Sequence, residues 1–181
     1  MKELRIPTTG MRSSFCPEIE EAYNGSTVLV TGSTGFIGQR LVEKLLSCGS
    51  TVLAGVSKHS ITRVRKTWAG EHRLHLFEYD LTSKICSDLF KADREIDLIF
   101  HLAAAGVHPR SANCPSTLKK NFLGAYQIAE FSLIYGINRV VCAGSCFEYG
   151  GGKYLSETAE LNPKSAYALS KILAREMLTW F

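Results

Sequence analysis

The segment from Val28 to Gly38, Val-Leu-Val-Thr-Gly-Ser-Thr-Gly-Phe-Ile-Gly, is the strongest constraint on how this chain folds. It begins with a β-branched apolar run, which predicts a buried strand over 27–31. Glycines then punctuate the chain, and apolar residues recur at helical spacing, which predicts a helix over about 36–48. A strand, a glycine turn and a helix in this order allow the helix N-terminus to bind a phosphate group.

Each of the three glycines has its own role in such a loop. Gly32 permits a tight turn, Gly35 lets the backbone approach a pyrophosphate, and Gly38 lets the helix pack close to the strand. The spacing is GxxGxxG, one residue longer at the first gap than the GxGxxG dinucleotide fingerprint. Taken alone, the segment favours phosphate binding, and the alternative is an ordinary glycine-rich turn between a strand and a helix.

Strands and helices alternate along the rest of the chain. Further strands are predicted over 51–56, 73–79, 97–102 and 139–143, and further helices over 83–91, 115–135 and 164–181. This alternation predicts an α/β fold, a Rossmann-type doubly wound parallel sheet with helices on both faces. Residues 1–25 lack a clear period, so we expect an N-terminal extension with a short helix over 18–23, followed by one dinucleotide-binding domain over 26–181.

Composition argues against several classes of protein. The chain has 181 residues, of which 45% are hydrophobic and 21% charged, as in soluble globular domains. The net charge of +4 is too small and too dispersed to indicate nucleic-acid binding. No apolar run approaches the ~18 residues of a membrane span, and the N-terminal residues lack the apolar segment of a secretory signal.

The six cysteines form neither a C-x-x-C pair nor a metal-ligand spacing. We therefore expect no metal site. We also expect reduced thiols, mostly small core residues, in a cytoplasmic protein.

Residues suited to ligand binding fall at the carboxyl ends of the predicted strands, where open parallel sheets bind their ligands. These positions are Gly32, Val56, Asp80, Leu102 and Ser145.

The end of the second strand indicates which dinucleotide is preferred. A carboxylate there would bind the ribose hydroxyl of NAD, but the chain has Val56-Ser57-Lys58 instead. Ser57 and Lys58 then border a 2′-phosphate, so we expect NADP(H) to be favoured over NAD. The alternative is a solvated basic surface that also includes Arg63 and Arg65.

The last predicted helix carries Tyr167-Ala-Leu-Ser-Lys171, which places the phenol and the ammonium on one helix face. An ammonium beside a phenol lowers the phenol pKa from about 10, which suits Tyr167 to exchange a proton with a substrate hydroxyl or carbonyl. Ser145, at the end of the fifth strand, is placed to hydrogen-bond the same oxygen.

In this order, these segments resemble the extended short-chain dehydrogenases/reductases of the NAD-dependent epimerase/dehydratase family, which act on nucleotide sugars. The matching segments are 30–38, 80–81, 101–104, Asn121 with Gly124, 144–150 and 167–171.

The resemblance implies a role for each matching residue. The pyrophosphate is held by Gly32, Gly35, Phe36, Ile37 and Gly38. The adenine is bordered by Asp80 and Leu81, and the path of the cofactor is lined by Leu102, Ala103 and Ala104. The catalytic triad is Ser145, Tyr167 and Lys171, of which Lys171 also binds the nicotinamide ribose.

Two of these residues have a structural alternative. Asp80 either accepts a hydrogen bond from the adenine amino group, with Leu81 covering the ring, or caps the following helix. Asn121 matches a recurrent asparagine of the family or has a structural role on its helix.

The motif after the fifth strand narrows the reaction. Nucleotide-sugar 4,6-dehydratases carry Asp-Glu directly after the hydroxyl residue, where this chain has Cys146 and Phe147. Dehydration is therefore not expected. The Ser-Cys-Phe-Glu-Tyr-Gly form, together with the NADP-like end of the second strand, resembles the 4-keto-sugar reductases of deoxysugar biosynthesis. This resemblance implies an NADPH-dependent 4-keto-sugar reductase, with an NAD-retaining nucleotide-sugar epimerase as the alternative. Cys146 is either an acid–base thiol or a packing residue, and Glu148 has no assigned role.

The chain ends at Phe181, before the strand and the sugar-binding region that follow in the family. We expect either a fragment or a chain that a partner completes, and a non-catalytic dinucleotide-binding module is a further alternative. The resemblance also implies a homodimer through the helices 115–135 and 164–181. No nucleic-acid or membrane partner is expected.

Overall fold

Five short segments of the described residues form one parallel sheet. The structure is a computed structural model that describes residues 17–85, 95–108, 110 and 112–181. The strands are β1 (Thr27–Thr31), β2 (Thr51–Val56), β3 (Leu74–Glu78), β4 (Leu98–His101) and β5 (Val140–Cys142). Their order is β3-β2-β1-β4-β5, and β1 pairs in parallel with both β2 and β4. The strand order therefore reverses between β1 and β4, which confirms the predicted Rossmann-type doubly wound fold.

Five α-helices of the described residues precede, connect or follow the strands. They are α1 (Pro17–Tyr23), α2 (Phe36–Ser47), α3 (Lys58–Thr67), α4 (Pro115–Tyr135) and α5 (Ala166–Trp180). Helix α4 has its predicted bounds because Pro115 occupies its first turn and Gly136, with φ of 66°, ends it in the left-handed conformation. None of the described helices is both long and apolar enough to cross a membrane.

The observed elements differ from the predicted ones in a few places. Strands predicted over 73–79, 97–102 and 139–143 are each one residue shorter at both ends. The basic stretch after β2, for which no helix was predicted, forms α3. Its buried side is marked by Ile61, Val64 and Trp68 at helical spacing. Most of the helix predicted over 83–91 lies outside the described residues, and 83–85 are not helical.

The chain divides into two compact units. Of the described residues, the first unit takes 17–80, 95–102 and 137–141, and the second takes 81–85, 103–108, 110, 112–136 and 142–181. The first unit contains α1 to α3 with β1 to β4. The second contains α4 and α5, which pack against each other.

The core of the first unit follows from the apolar strands at its centre. Val28, Leu29 and Val30 of β1 are fully buried, as expected for a parallel strand that is covered on both faces. Val28 and Val30 join residues of β2 and the apolar stripe of α2 in a single cluster. The continuous apolar run of β1 thus fixes it as the central strand.

Gly38 allows α2 to begin directly against the end of β1. A Cβ at this position would overlap the carbonyl oxygen of Gly32 and would lie 2.9 Å from the Cα of Ser33. Both obstacles are backbone atoms, so a rotamer change cannot relieve them. Close packing of helix and strand, predicted for Gly38, is therefore what the structure has.

We expect Gly38→Ala to destabilise the first unit by about 1–3 kcal/mol, because the added methyl group forces the first turn of α2 away from the loop. Urea denaturation followed by circular dichroism measures this change. The matched control is Gly151→Ala, since a Cβ at Gly151 meets no atom within 4 Å. A Gly38→Ala variant as stable as the Gly151→Ala control would contradict the packing argument.

Candidate functional site

The glycine loop of the first unit exposes the backbone at the start of α2. Gly32 has φ of 68°, which favours glycine, and its carbonyl accepts a hydrogen bond from the Gly35 N–H at 2.9 Å. Gly35 is the N-cap residue of α2, and no side chain of the described residues caps that helix. The side chains of Phe36 and Ile37 are 88% and 63% exposed. The first N–H groups of α2 are therefore open to an anion.

Two buried hydroxyl groups tie this loop to the neighbouring strands. Ser33 donates from its Oγ to the carbonyl of Gly55 in β2 at 2.7 Å. Oγ1 of Thr31, the last residue of β1, lies 2.8 Å from Nδ1 of His101. Because Ser33, Thr31 and His101 are all buried, these contacts hold the loop in one place relative to the strands.

The predicted NADP-contacting residues lie at the start of α3. Ser57 is the N-cap residue of this helix, its Oγ bonds to Ser60 at 3.1 Å, and Lys58 is the first helical residue. Lys58, Arg63 and Arg65 are exposed. Within the described ranges, none of these three cations is paired with a carboxylate. Both interpretations of this basic stretch, as an anion contact or as a solvated face, remain consistent with this geometry.

The residues after β3 and β4 are placed less distinctively. Asp80 is exposed, and the helix that it was predicted to cap lies largely outside the described residues. In the second unit, the side chain of Leu81 packs on Gly124 of α4, where a Cβ would overlap it. Leu102 directly follows β4, and Ala103 and Ala104 are partly buried.

The Ser145 segment of the second unit is a short capped turn. A 3₁₀ turn over Cys146–Tyr149 follows Ser145, whose Oγ accepts a hydrogen bond from the Phe147 N–H at 3.3 Å. In return, Oε1 of Glu148 accepts from the Ser145 N–H at 2.7 Å, which completes a capping box. The spacing Ser-x-x-Glu is the sequence signal that could have revealed this role of Glu148.

Tyr167 and Lys171 lie on one face of α5, as predicted. The ammonium of Lys171 is 5.8 Å from the centre of the Tyr167 ring and donates to the carbonyl of Ala143 at 2.9 Å. Lys171 is only 5% exposed. Hydrogen bonding with the Ser145 side chain lowers the pKa of the Tyr167 phenol, so the three predicted catalytic residues lie close together in the second unit.

The electrostatics of Tyr167 differ from the sequence-based expectation. Burial raises the pKa of Tyr167 above its usual value, and the nearby Glu148 and Cys146 raise it further. The hydrogen bond from Ser145 acts in the opposite direction. Burial also lowers the pKa of Lys171. The expected lowering of the phenol pKa is therefore wrong for this structure, because the cost of burying a phenolate outweighs the favourable contacts.

A cavity of about 430 Å³ opens beside Ser145 and Lys171. Cys146 lines it and is exposed, so its predicted alternative as a packing residue is wrong. Cys48, Cys114 and Cys142 are not fully buried either, which corrects the expectation that most cysteines are core residues. Cys16 and Cys86 lie outside the described residues.

Asn121 has the structural role that was its alternative. Its side chain accepts from the N–H of Ala105 at 2.7 Å and donates to the Ala105 carbonyl at 3.0 Å. It also donates to Oγ of Ser170 at 2.8 Å, and Ser170 donates in turn to the carbonyl of Tyr167 at 2.7 Å. Asn121 thus links the segment after β4 to the helix that carries Tyr167.

Comparison with known proteins agrees with this arrangement. Residues 28–181 match the NAD dependent epimerase/dehydratase family. A UDP-glucose 4-epimerase of Mycolicibacterium smegmatis is 32% identical over 163 residues, which cover 84% of this chain and 50% of that protein. The chain spans about half the length of the curated relatives it matches.

Solved structures show the same fold. The UDP-Glc/GlcNAc 4-epimerase from Campylobacter jejuni is 25% identical with a TM-score of 0.70, over 86% of this chain and 48% of that one. A UDP-N-acetylglucosamine 4-epimerase from Methanobrevibacter ruminantium is 24% identical with a TM-score of 0.74, over 87% and 51%.

We expect Asn121→Ala to destabilise the protein by about 2–4 kcal/mol, because it leaves partly buried backbone groups of Ala105 without their partner and removes a hydrogen bond to the buried Ser170 hydroxyl. Thermal and urea denaturation measure the loss. The control is Asn162→Ala, an exposed asparagine whose removal should cost less than about 0.5 kcal/mol. Equal stability of the two variants would refute the structural role of Asn121.

Proposed function

We propose that this chain carries the dinucleotide-binding and proton-transfer residues of an enzyme that oxidises or reduces a nucleotide sugar at C4. The chain belongs to the NAD-dependent epimerase/dehydratase family, which supports this proposal. The observation that carries this proposal is the convergence of Ser145, Tyr167 and Lys171. The Ser145 side chain lies close enough to lower the phenol pKa, and the buried ammonium of Lys171 lies on the same helix face as Tyr167. An acid–base group held between a hydroxyl and a cation suits proton exchange with a sugar oxygen.

The residues of the first unit fit a nicotinamide dinucleotide. The N–H groups at the start of α2 have no capping side chain among the described residues, and the missing side chain of Gly38 brings the helix against Gly32. The pyrophosphate would be held by backbone groups of the loop and the start of α2, at Gly32, Gly35, Phe36, Ile37 and Gly38. When bound, such a cofactor supplies or accepts the hydride at the sugar carbon.

The protein's own residues then have separate tasks. Tyr167 exchanges a proton with the C4 oxygen, and the hydroxyl of Ser145 orients that oxygen through a hydrogen bond. Lys171 places a positive charge beside the phenol and is itself held by the Ala143 carbonyl. The raised pKa of Tyr167 keeps the phenol protonated at neutral pH, which suits it to give a proton to a carbonyl oxygen.

The cations near the end of β2 favour a reductase that acts on a 4-keto sugar, and the absence of Asp-Glu after Ser145 disfavours a dehydratase. NADP(H) would be the cofactor, with Ser57 and Lys58 at its 2′-phosphate. The alternative, an epimerase that keeps NAD bound, is favoured by the relatives, which are UDP-glucose 4-epimerases. Purified protein that carries tightly bound NAD would decide for the epimerase.

A binding module without turnover is a second candidate. Such a module would bind NADPH at micromolar concentrations and would turn over no nucleotide 4-keto sugar.

We expect Tyr167→Phe to lower kcat by about 10²–10⁴-fold and to leave NADPH affinity nearly unchanged, because only the proton-transferring oxygen is removed. The loss of NADPH absorbance with a nucleotide 4-keto sugar measures turnover, and fluorescence titration measures binding. Tyr154→Phe is the control, since the Tyr154 side chain is fully exposed. Undiminished turnover in Tyr167→Phe would contradict the assignment of Tyr167 as the proton-transferring residue.

We expect Lys58→Glu to weaken NADPH binding by about tenfold, equivalent to about 1.4 kcal/mol, because a carboxylate replaces the cation near the 2′-phosphate. The affinity for NADH, which lacks that phosphate, should not change. Lys66→Glu, an exposed substitution near the other end of α3, serves as the control in the same fluorescence titrations. Equal losses for NADPH and NADH would contradict the proposed preference.

A further inference from the structure

Glu148 is a buried carboxylate for which the sequence suggested no role. The residue is only 2% exposed, and a charge in such a place is costly unless both oxygens are bonded. Both oxygens are in use. Oε1 accepts from the N–H of Ser145 at 2.7 Å, and Oε2 accepts from Nη1 of Arg175 at 3.1 Å. The carboxylate therefore joins two segments of the second unit.

The first of these segments is the turn that carries Ser145. A 3₁₀ turn of four residues has little stability of its own, so its caps decide its conformation. The carboxylate of Glu148 passes over Gly144, where a Cβ would lie 3.2 Å from Oε1. The carbonyl of Glu148 also accepts from the N–H of Asn162 at 2.9 Å. Side chain and backbone of Glu148 together hold the turn.

The second segment is α5. Arg175 follows Lys171 by four residues and Tyr167 by eight, so the three side chains share one side of the helix. The Arg175 side chain is 42% exposed, and its guanidinium also bonds to Glu176 at 3.0 Å. The contact between Glu148 and Arg175 thus connects the Ser145 turn to the helix that carries the other two catalytic residues.

We propose that Glu148 is a positioning residue for the reaction proposed above, whose carboxylate holds the Ser145 hydroxyl at the Tyr167 phenol by bridging the Ser145 N–H and the Arg175 guanidinium. The inference rests on the proposed function for its catalytic meaning. The bridge itself is a property of the second unit, so it is measurable without substrate or cofactor.

The phenol of Tyr167 reports on this bridge because it senses Ser145 directly. The hydrogen bond from Ser145 lowers the pKa of Tyr167, whereas burial and the charges of Glu148 and Cys146 raise it. The other charged group near the ring is Lys171. Removing Glu148 therefore changes two contributions at once, and only a double-mutant cycle separates the contribution of Ser145.

The experiment compares Ser145→Ala in two backgrounds, the wild-type chain and Glu148→Gln. Carbon-13 NMR of labelled tyrosine follows the phenol through a pH titration, and the signal absent from Tyr167→Phe is assigned to Tyr167. In the wild-type background Ser145→Ala should raise the pKa of Tyr167, because a hydrogen bond to the phenolate is lost. In the Glu148→Gln background this rise should disappear, because an amide has one acceptor oxygen and cannot bond both the Ser145 N–H and the Arg175 guanidinium, so the bridge that holds Ser145 at the phenol is broken.

Glu176→Gln is the matched control, because it removes the other carboxylate on the same guanidinium. In that background Ser145→Ala should raise the pKa of Tyr167 as it does in the wild type. An undiminished rise in the Glu148→Gln background would overturn the proposal. If Glu148→Gln does not fold, Arg175→Met breaks the bridge at its other end, and the presence or absence of the rise decides in the same way.

The two proposals fail separately. Turnover that survives in Tyr167→Phe refutes the function and leaves the phenol titration intact. Conversely, a rise that persists without Glu148 refutes the positioning role, whatever the turnover. Where turnover is measurable, Glu148→Gln should lower kcat with little change in KM for the sugar, because it misplaces a reacting group without removing a substrate contact.

Discussion

The contact between the first turn of α2 and the end of β1 is the constraint on which the first unit depends. It exists because Gly38 has no side chain, so the helix begins against the carbonyl of Gly32. The position of the first turn of α2 is therefore fixed by its packing against a buried central strand. Its first N–H groups have no capping side chain among the described residues, and Phe36 and Ile37 beside them are exposed, which suits the binding of an anion. The absence of a side chain at Gly38 thus determines both the packing of α2 against β1 and the position of the candidate phosphate-binding helix start.

Polar links connect the segments around the candidate catalytic residues of the second unit. Asn121 connects the segment after β4 to Ser170, Lys171 reaches the Ala143 carbonyl, and Glu148 reaches Arg175. Each buried polar group costs stability unless its partner is in place, so such links tolerate few alternative arrangements. This is a physical reason to expect an accurately placed phenol on α5, where proton transfer demands defined distances.

Burial gives Tyr167 and Lys171 opposite tendencies. It raises the pKa of the phenol and lowers the pKa of the ammonium, because both charged forms lose hydration. Both groups are therefore biased toward their neutral forms. A neutral phenol can donate a proton, and this bias is consistent with the proposed protonation of a sugar carbonyl oxygen.

The sequence by itself determined the strand–glycine–helix segment, the parallel sheet and the helix bounds from Pro115 to Gly136. These depend on local periodicity and on glycine and proline backbones, which act over a few residues. It also placed Ser145, Tyr167 and Lys171 as candidates through their order and spacing. Only the tertiary structure decided that Asn121 is a link, that Cys146 is exposed, that Glu148 bridges to Arg175, and that burial raises the phenol pKa. Burial and pairing between residues distant in the chain exist only once the chain is packed, and no local pattern encodes them.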